Sequence, residues 1–250
     1  MQRHRGAPCC RPRTKANDMN TKPEFAAGSV AIADDFYYAV HKGIRLANAR
    51  LLIRLGRADA GDIREVEAAL ADLRDHLVMG LSHLTHENRE IHAALDARCP
   101  GASDHAGEDH DHHERSFDEL EALADEVARA PMPFRAEALR RLYQRFALFV
   151  ADDLEHMHEE ETVLMPLLVQ HFTADERLGI EKRIVTSIPF EKNVLFMRAM
   201  LPAASLSERR AMLDGMAAAM PPEVFGALME AVLGAPWSQG DLAAFDRLVA

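Results

Sequence analysis

The chain has 250 residues and a mass of 27.8 kDa, with 48% hydrophobic and 28% charged residues, a balance that excludes wholesale disorder and allows one large domain with an appendage. Aromatic residues are only 6%, Gly and Pro number 13 and 12, and Ala and Leu abound, which favours helices over a sandwich or barrel. A net charge of −11 argues against nucleic-acid binding, and no apolar run approaches the roughly 18–20 residues that span a bilayer.

Residues 1–25 are basic, contain Pro and lack periodicity, so they read as a disordered leader without the apolar segment of a secretory signal. Met19 offers an alternative start. Three cysteines, Cys9, Cys10 and Cys99, make no disulfide framework, and a reducing cytoplasm is the expected location.

Four strongly helical stretches follow. The first runs from about Asp34 to Leu55 and ends near Gly56. The second runs from about Asp62 to Leu95, before Cys99-Pro100-Gly101. The third runs from about Asp109 to Ala130, and the fourth from about Arg135 to His171 with a kink expected at Pro166. Short connections predict an all-α, up-down-up-down four-helix bundle over residues 30–173. Residues 174–250 read as a C-terminal helical extension of short helices broken by Pro and Gly. Its methionines (Met197, Met200, Met212, Met216, Met220 and Met229) suit plain core filling, or a groove for a protein partner or a second copy.

The unusual feature is 13 histidines in an acidic chain, with none after His171. On a helix, positions i and i+4 lie about 40° apart, so a His and a carboxylate at that spacing can bind one metal centre. In the second helix, His83-Leu-Thr-His86-Glu87-Asn-Arg-Glu90-Ile-His92 holds two such pairs. Measured from the stripe of Leu70, Leu73, Leu77, Leu84, Ile91 and Leu95, Glu87 is about 75° away and His83 about 115°, so His83/Glu87 is the better inward pair. His86 and His92 are expected outside the ligand set.

In the fourth helix, His156 and Glu160 share a stripe with Phe149, Val163 and Leu167, whereas His158 points away and Glu161 mostly so. The first helix carries His41 on its inward stripe. The third carries His113 on its stripe and His110 about 60° off it, and either can ligate. His105 and His112 read as solvated. One such residue is more often a satisfied core group than a ligand. Polar groups on the inward side of all four helices would cost stability unless they converge. Imidazoles with two carboxylates that can bridge suit iron or manganese better than calcium or magnesium.

The segments VHKGIR, HLTHENREIHAAL, HDHHERSFDEL and HMHEEETVLMPLL resemble the hemerythrin-like, or HHE cation-binding, domains over about Asp34 to Phe172. The His156-x-x-x-Glu160 sequence leading to Pro166 fits that family closely, and the second helix has Ala93 where Pro is common. The resemblance implies a non-haem di-iron centre bridged by two carboxylates. Its ligands would be His41, His83, Glu87, a histidine of the third helix, His156 and Glu160. It further implies a protein that binds O2, or responds to oxygen, nitric oxide, peroxide or iron. Redox turnover of peroxide or nitric oxide, and iron storage or regulation, are the alternatives.

Overall fold

A computed structural model describes residues 35–248, so the expected leader lies outside the described residues. Among the described residues the chain is helical and has no strand. Among the described residues, no helix is long and apolar enough to cross a membrane.

Helix α1 (Phe36–Arg57) starts where the Asp35 carboxylate accepts hydrogen bonds from the backbone N–H groups of Tyr37 and Tyr38. Asp62 caps α2 (Ile63–His86) in the same way through Arg64 and Glu65. Helix α2 then passes without a break into a π-helical turn, Glu87–His92, and into α3 (Ala93–Arg98). After a turn comes α4 (Asp104–Arg129), five residues longer at its start than expected. Pro131 opens α5 (Met132–Glu159), which runs into a second π-helical turn, Glu160–Leu164, and then α6 (Met165–His171).

Each π turn is marked by a backbone hydrogen bond five residues long, from Ala93 N–H to the Asn88 carbonyl and from Met165 N–H to the Glu160 carbonyl. The kink expected at Pro166 is therefore a widening one turn earlier. It relieves the clash between a proline ring and the carbonyl four residues before it. With Ala93 at the matching position, no proline calls for the first widening.

An extra residue in a turn rotates everything downstream by about 100°. This corrects the inward stripe of the fourth predicted helix. Val163 is 47% exposed and Leu164 only 2%, and Leu168 rather than Leu167 is fully buried. The inward set has moved by one residue.

Helix α1 packs against α2 and α5, α2 against α4, and α4 against α5. One core fills the end of this group with Leu51, Leu55, Leu70, Leu73, Leu120, Leu142, Phe146 and Phe149. A second closes the opposite end with Tyr37, Ile91, Leu95, Leu164, Met165 and Leu168. The histidines and carboxylates lie between the two.

Beyond Phe172 come α7 (Ala174–Ser187), α8 (Phe190–Ala203), α9 (Leu206–Ala219), α10 (Pro222–Leu233) and a 3-10 helix, Leu242–Leu248. Thr173 and Ser205 form capping boxes with Glu176 and Glu208 at the starts of α7 and α9. Gly234 ends α10 at φ 66°, the left-handed conformation that a residue without Cβ adopts freely. Helix α8 lies along α1. Gly43 allows the close approach, since a Cβ there would stand 3.0 Å from the Met200 backbone N and 3.1 Å from the Ala199 carbonyl carbon. The methionines fill a third core: Met197 and Met229 are buried, and Met200, Met212, Met216 and Met220 pack around them. Cys99, at the end of α3, is buried.

Candidate metal centre

Glu87 and Glu160 each sit at the first residue of a π turn, one continuing α2 and the other α5. Both are buried, Glu160 completely. Histidines from α1, α2, α4 and α5 surround them. His83 Nε2 lies 3.2 Å from Glu87 Oε1. His41 Nε2 lies 3.3 Å from Glu160 Oε2 and 3.9 Å from Glu87 Oε1. On the other side, His110 Nε2 lies 3.6 Å from both Glu87 Oε2 and Glu160 Oε1, and His156 Nε2 lies 3.4 Å from Glu160 Oε2.

The donor atoms therefore fall into two groups that could each hold a cation. One comprises His41, His83, Glu87 and Glu160, and the other Glu87, His110, His156 and Glu160. The two groups share both carboxylates. Two nitrogen donors at right angles, each about 2.1 Å from an ion, stand about 3.0 Å apart. The Nε2 atoms of His110 and His156 are 2.9 Å apart. The donors also fit a cation by their lack of other partners. His41 Nε2, His83 Nε2, His92 Nε2, Glu87 Oε2 and both Glu160 oxygens are buried without a hydrogen bond. Buried polar atoms are rarely left so, and here they face one another.

The outward nitrogens of two of these rings are held. His41 Nδ1 donates to Glu161 Oε1 at 2.9 Å, and Arg45 grips the same carboxylate through two N–H groups at 2.6 and 3.0 Å. His110 Nδ1 donates to Asn88 Oδ1 at 2.7 Å. A proton fixed on Nδ1 leaves the Nε2 lone pair facing inward, the arrangement by which proteins orient a metal-binding imidazole. Asp153, buried beside the centre, accepts from Asn48 Nδ2 at 2.6 Å. Tyr37 stacks on His41 with ring centroids 5.0 Å apart.

The two carboxylates are charged and draw cations, whereas His156 and His41 must each release a proton before they can ligate. Burial pushes Glu160 up, but His156, His110, His41 and His92 around it hold it well below the usual carboxylate value. Burial and Glu160 push Glu87 up, and His83, His41 and His110 outweigh them. Both are thus carboxylates. Burial works against a charged His156, yet Glu160, Asp109 and Glu87 raise it to about 9. His41 goes well above the ordinary value for the same reason, against its burial, through Glu160, Glu161 and Glu87. Burial lowers His83 to about 4, so it is neutral and ready to ligate.

Of the expected residues, His41, His83, Glu87, His110, His156 and Glu160 come together. His113 does not join either group of donors. It is buried against His156 and Phe149, with ring centroids at 4.9 and 5.5 Å, and burial, with His156 and His110 beside it, lowers it to about 3. His92, expected outside, stacks on His110 at 4.8 Å and points Nε2 at Glu160 Oε1 from 3.8 Å. The π turn explains this: the extra residue brings His92 from about 80° to about 20° off the Leu84 direction. His86 is buried too, but its Nδ1 is bonded to the Ser82 carbonyl and takes no part. Glu161, expected to face away, touches His41. Asn88, Asp109 and Asp153 carried no periodic signal, since each acts across helices.

No family model matches the chain, and no solved structure matches it. Among curated proteins, F-box/LRR-repeat protein 5 of Xenopus laevis is 40% identical over 47 residues, and that of Xenopus tropicalis is 41% identical over 46. These stretches are 19% and 18% of this chain and 7% of either relative, so the chain spans a small part of the curated relatives it matches.

Proposed function

We propose that residues 35–173 form a hemerythrin-like four-helix bundle holding two iron ions, and that the protein binds O2 or a small ligand of that kind, nitric oxide or peroxide. The observation that carries this reading is the sharing of Glu87 and Glu160 by two groups of histidine and carboxylate donors. His41 and His83 would hold one ion, His110 and His156 the other, with His92 beside the second. Such a pair, when bound, supplies two one-electron redox changes at one point and a coordination position for a diatomic molecule. The chain's own residues do the rest. The carboxylates offset charge that burial would otherwise make costly. Glu161 and Asn88 keep two imidazoles turned inward. The cores at either end limit access by water.

The test is the optical spectrum of iron-loaded, reduced protein on exposure to O2 and on its removal under vacuum. A band that appears and reverses over several cycles is the expected result. Irreversible oxidation in the first cycle, with no reversible band for O2 or nitric oxide, would sink the binding reading.

A further inference from the structure

Histidine and carboxylate donors also meet a few ångströms outside the buried centre. His105, near the start of α4, places Nδ1 3.0 Å from Glu159 Oε1 on α5 and 3.5 Å from Asp109 Oδ2 one turn along. All three side chains are 30–40% exposed, so solvent reaches them. The same Asp109 oxygen lies 3.5 Å from Nδ1 of His156, whose side chain is 98% buried. That nitrogen has no hydrogen-bond partner, and neither does His105 Nδ1. A buried, unpartnered imidazole edge thus faces a carboxylate that also faces an exposed histidine and a second carboxylate.

We propose that His105, Asp109 and Glu159 form a second metal site, on the solvent side of the buried centre, for a divalent transition-metal ion. One imidazole and two carboxylates suit iron(II), manganese or cobalt better than calcium, which prefers oxygen donors alone. The three donor atoms lie within 4.8 Å of one another, close enough for one ion after small rotations of exposed side chains. The site is weaker than the inner one, because solvent completes its coordination. Asp109 joins the two: its carboxylate is a ligand outside and the nearest partner of His156 Nδ1 inside.

The experiment is a Co2+ titration of the full-length protein, followed by equilibrium dialysis and visible absorption. The variants are His105→Ala, Glu159→Gln, Asp111→Asn and His156→Ala. The wild type should bind one ion more per chain than His105→Ala, in a separate weak phase. Glu159→Gln should weaken that phase by about tenfold or more. Asp111→Asn removes an exposed negative charge from the same helix and should leave the phase unchanged. His156→Ala should damage the inner centre and keep the outer phase, so failure of the di-iron reading and failure of this site look different. A titration indifferent to His105→Ala and Glu159→Gln would overturn the proposal. Asp111→Asn matching their effect would also overturn it, since general surface charge would then account for the binding.

Discussion

His110 on α4 and His156 on α5 face each other through their Nε2 atoms at 2.9 Å. Two imidazoles can share a single hydrogen bond at that distance only if one nitrogen carries a proton and the other does not. Two lone pairs on one ion satisfy both rings alike. His113, one turn along from His110, has its ring on His156 and Phe149 instead. His110→Ala should therefore lower metal content by about half or more, since it strips one ligand set, whereas His113→Ala should keep the metal. Elemental analysis of the two purified variants decides the matter, and equal loss in both would put His113 among the ligands.

Glu161 offers a sharper test of the outer contacts. Its carboxylate joins Arg45 to His41, and burial, which raises it, is outweighed by His41 and Arg45, which bring it to about 2. Glu161→Gln keeps an acceptor but loses the charge. Metal affinity should fall by about tenfold, typical for a partner that orients a ligand. A competition titration against a chelator reads this directly, and an unchanged affinity would reduce Glu161 to a surface ion pair with Arg45.

Much of this was legible from periodicity. The i,i+4 pairs His83/Glu87 and His156/Glu160 lie where a 100° count puts them, because each pair ends where its π turn begins. Past Glu87 and Glu160 the same count fails by one residue. His92 turns inward, and Val163 gives its place to Leu164. No local residue pattern announces the first π turn, and Pro166 announces the second only loosely. The docking of α8 was also hidden, since it rests on the missing side chain of Gly43.

Gly43→Ala follows from that contact. Alanine gains about 1 kcal/mol over glycine inside a helix. The added Cβ would press on the α8 backbone at 3.0–3.1 Å, and overpacking of this kind costs about 1–3 kcal/mol. A net loss of about 1 kcal/mol is expected in urea unfolding. A stabilised variant would show that α8 yields freely.

Acid should destabilise the metal-free protein partly through His76. This ring is buried against Phe146 and Phe149, and burial lowers it to about 4 from the ordinary 6.5. The unfolded chain takes up a proton below pH 6.5 that the folded chain refuses until about 4. Its contribution is therefore whole above pH 6.5 and is lost as pH falls towards 4, in all by about 3 kcal/mol. Urea midpoints at pH 7 and 4.5, in the presence of chelator, should fall less for His76→Leu than for wild type. Parallel curves would mean that water reaches the ring.

Two ions held between Glu87 and Glu160 would show first in the metal content of the protein. Untagged protein from iron-replete cells should carry about two irons per chain, the number a pair of bridging carboxylates holds. Glu87→Gln and Glu160→Gln, purified in parallel, should lose most of it. Metal-free wild-type protein with undiminished thermal stability, or a Glu160→Gln variant that keeps its full iron, would rule out a di-iron centre at these carboxylates.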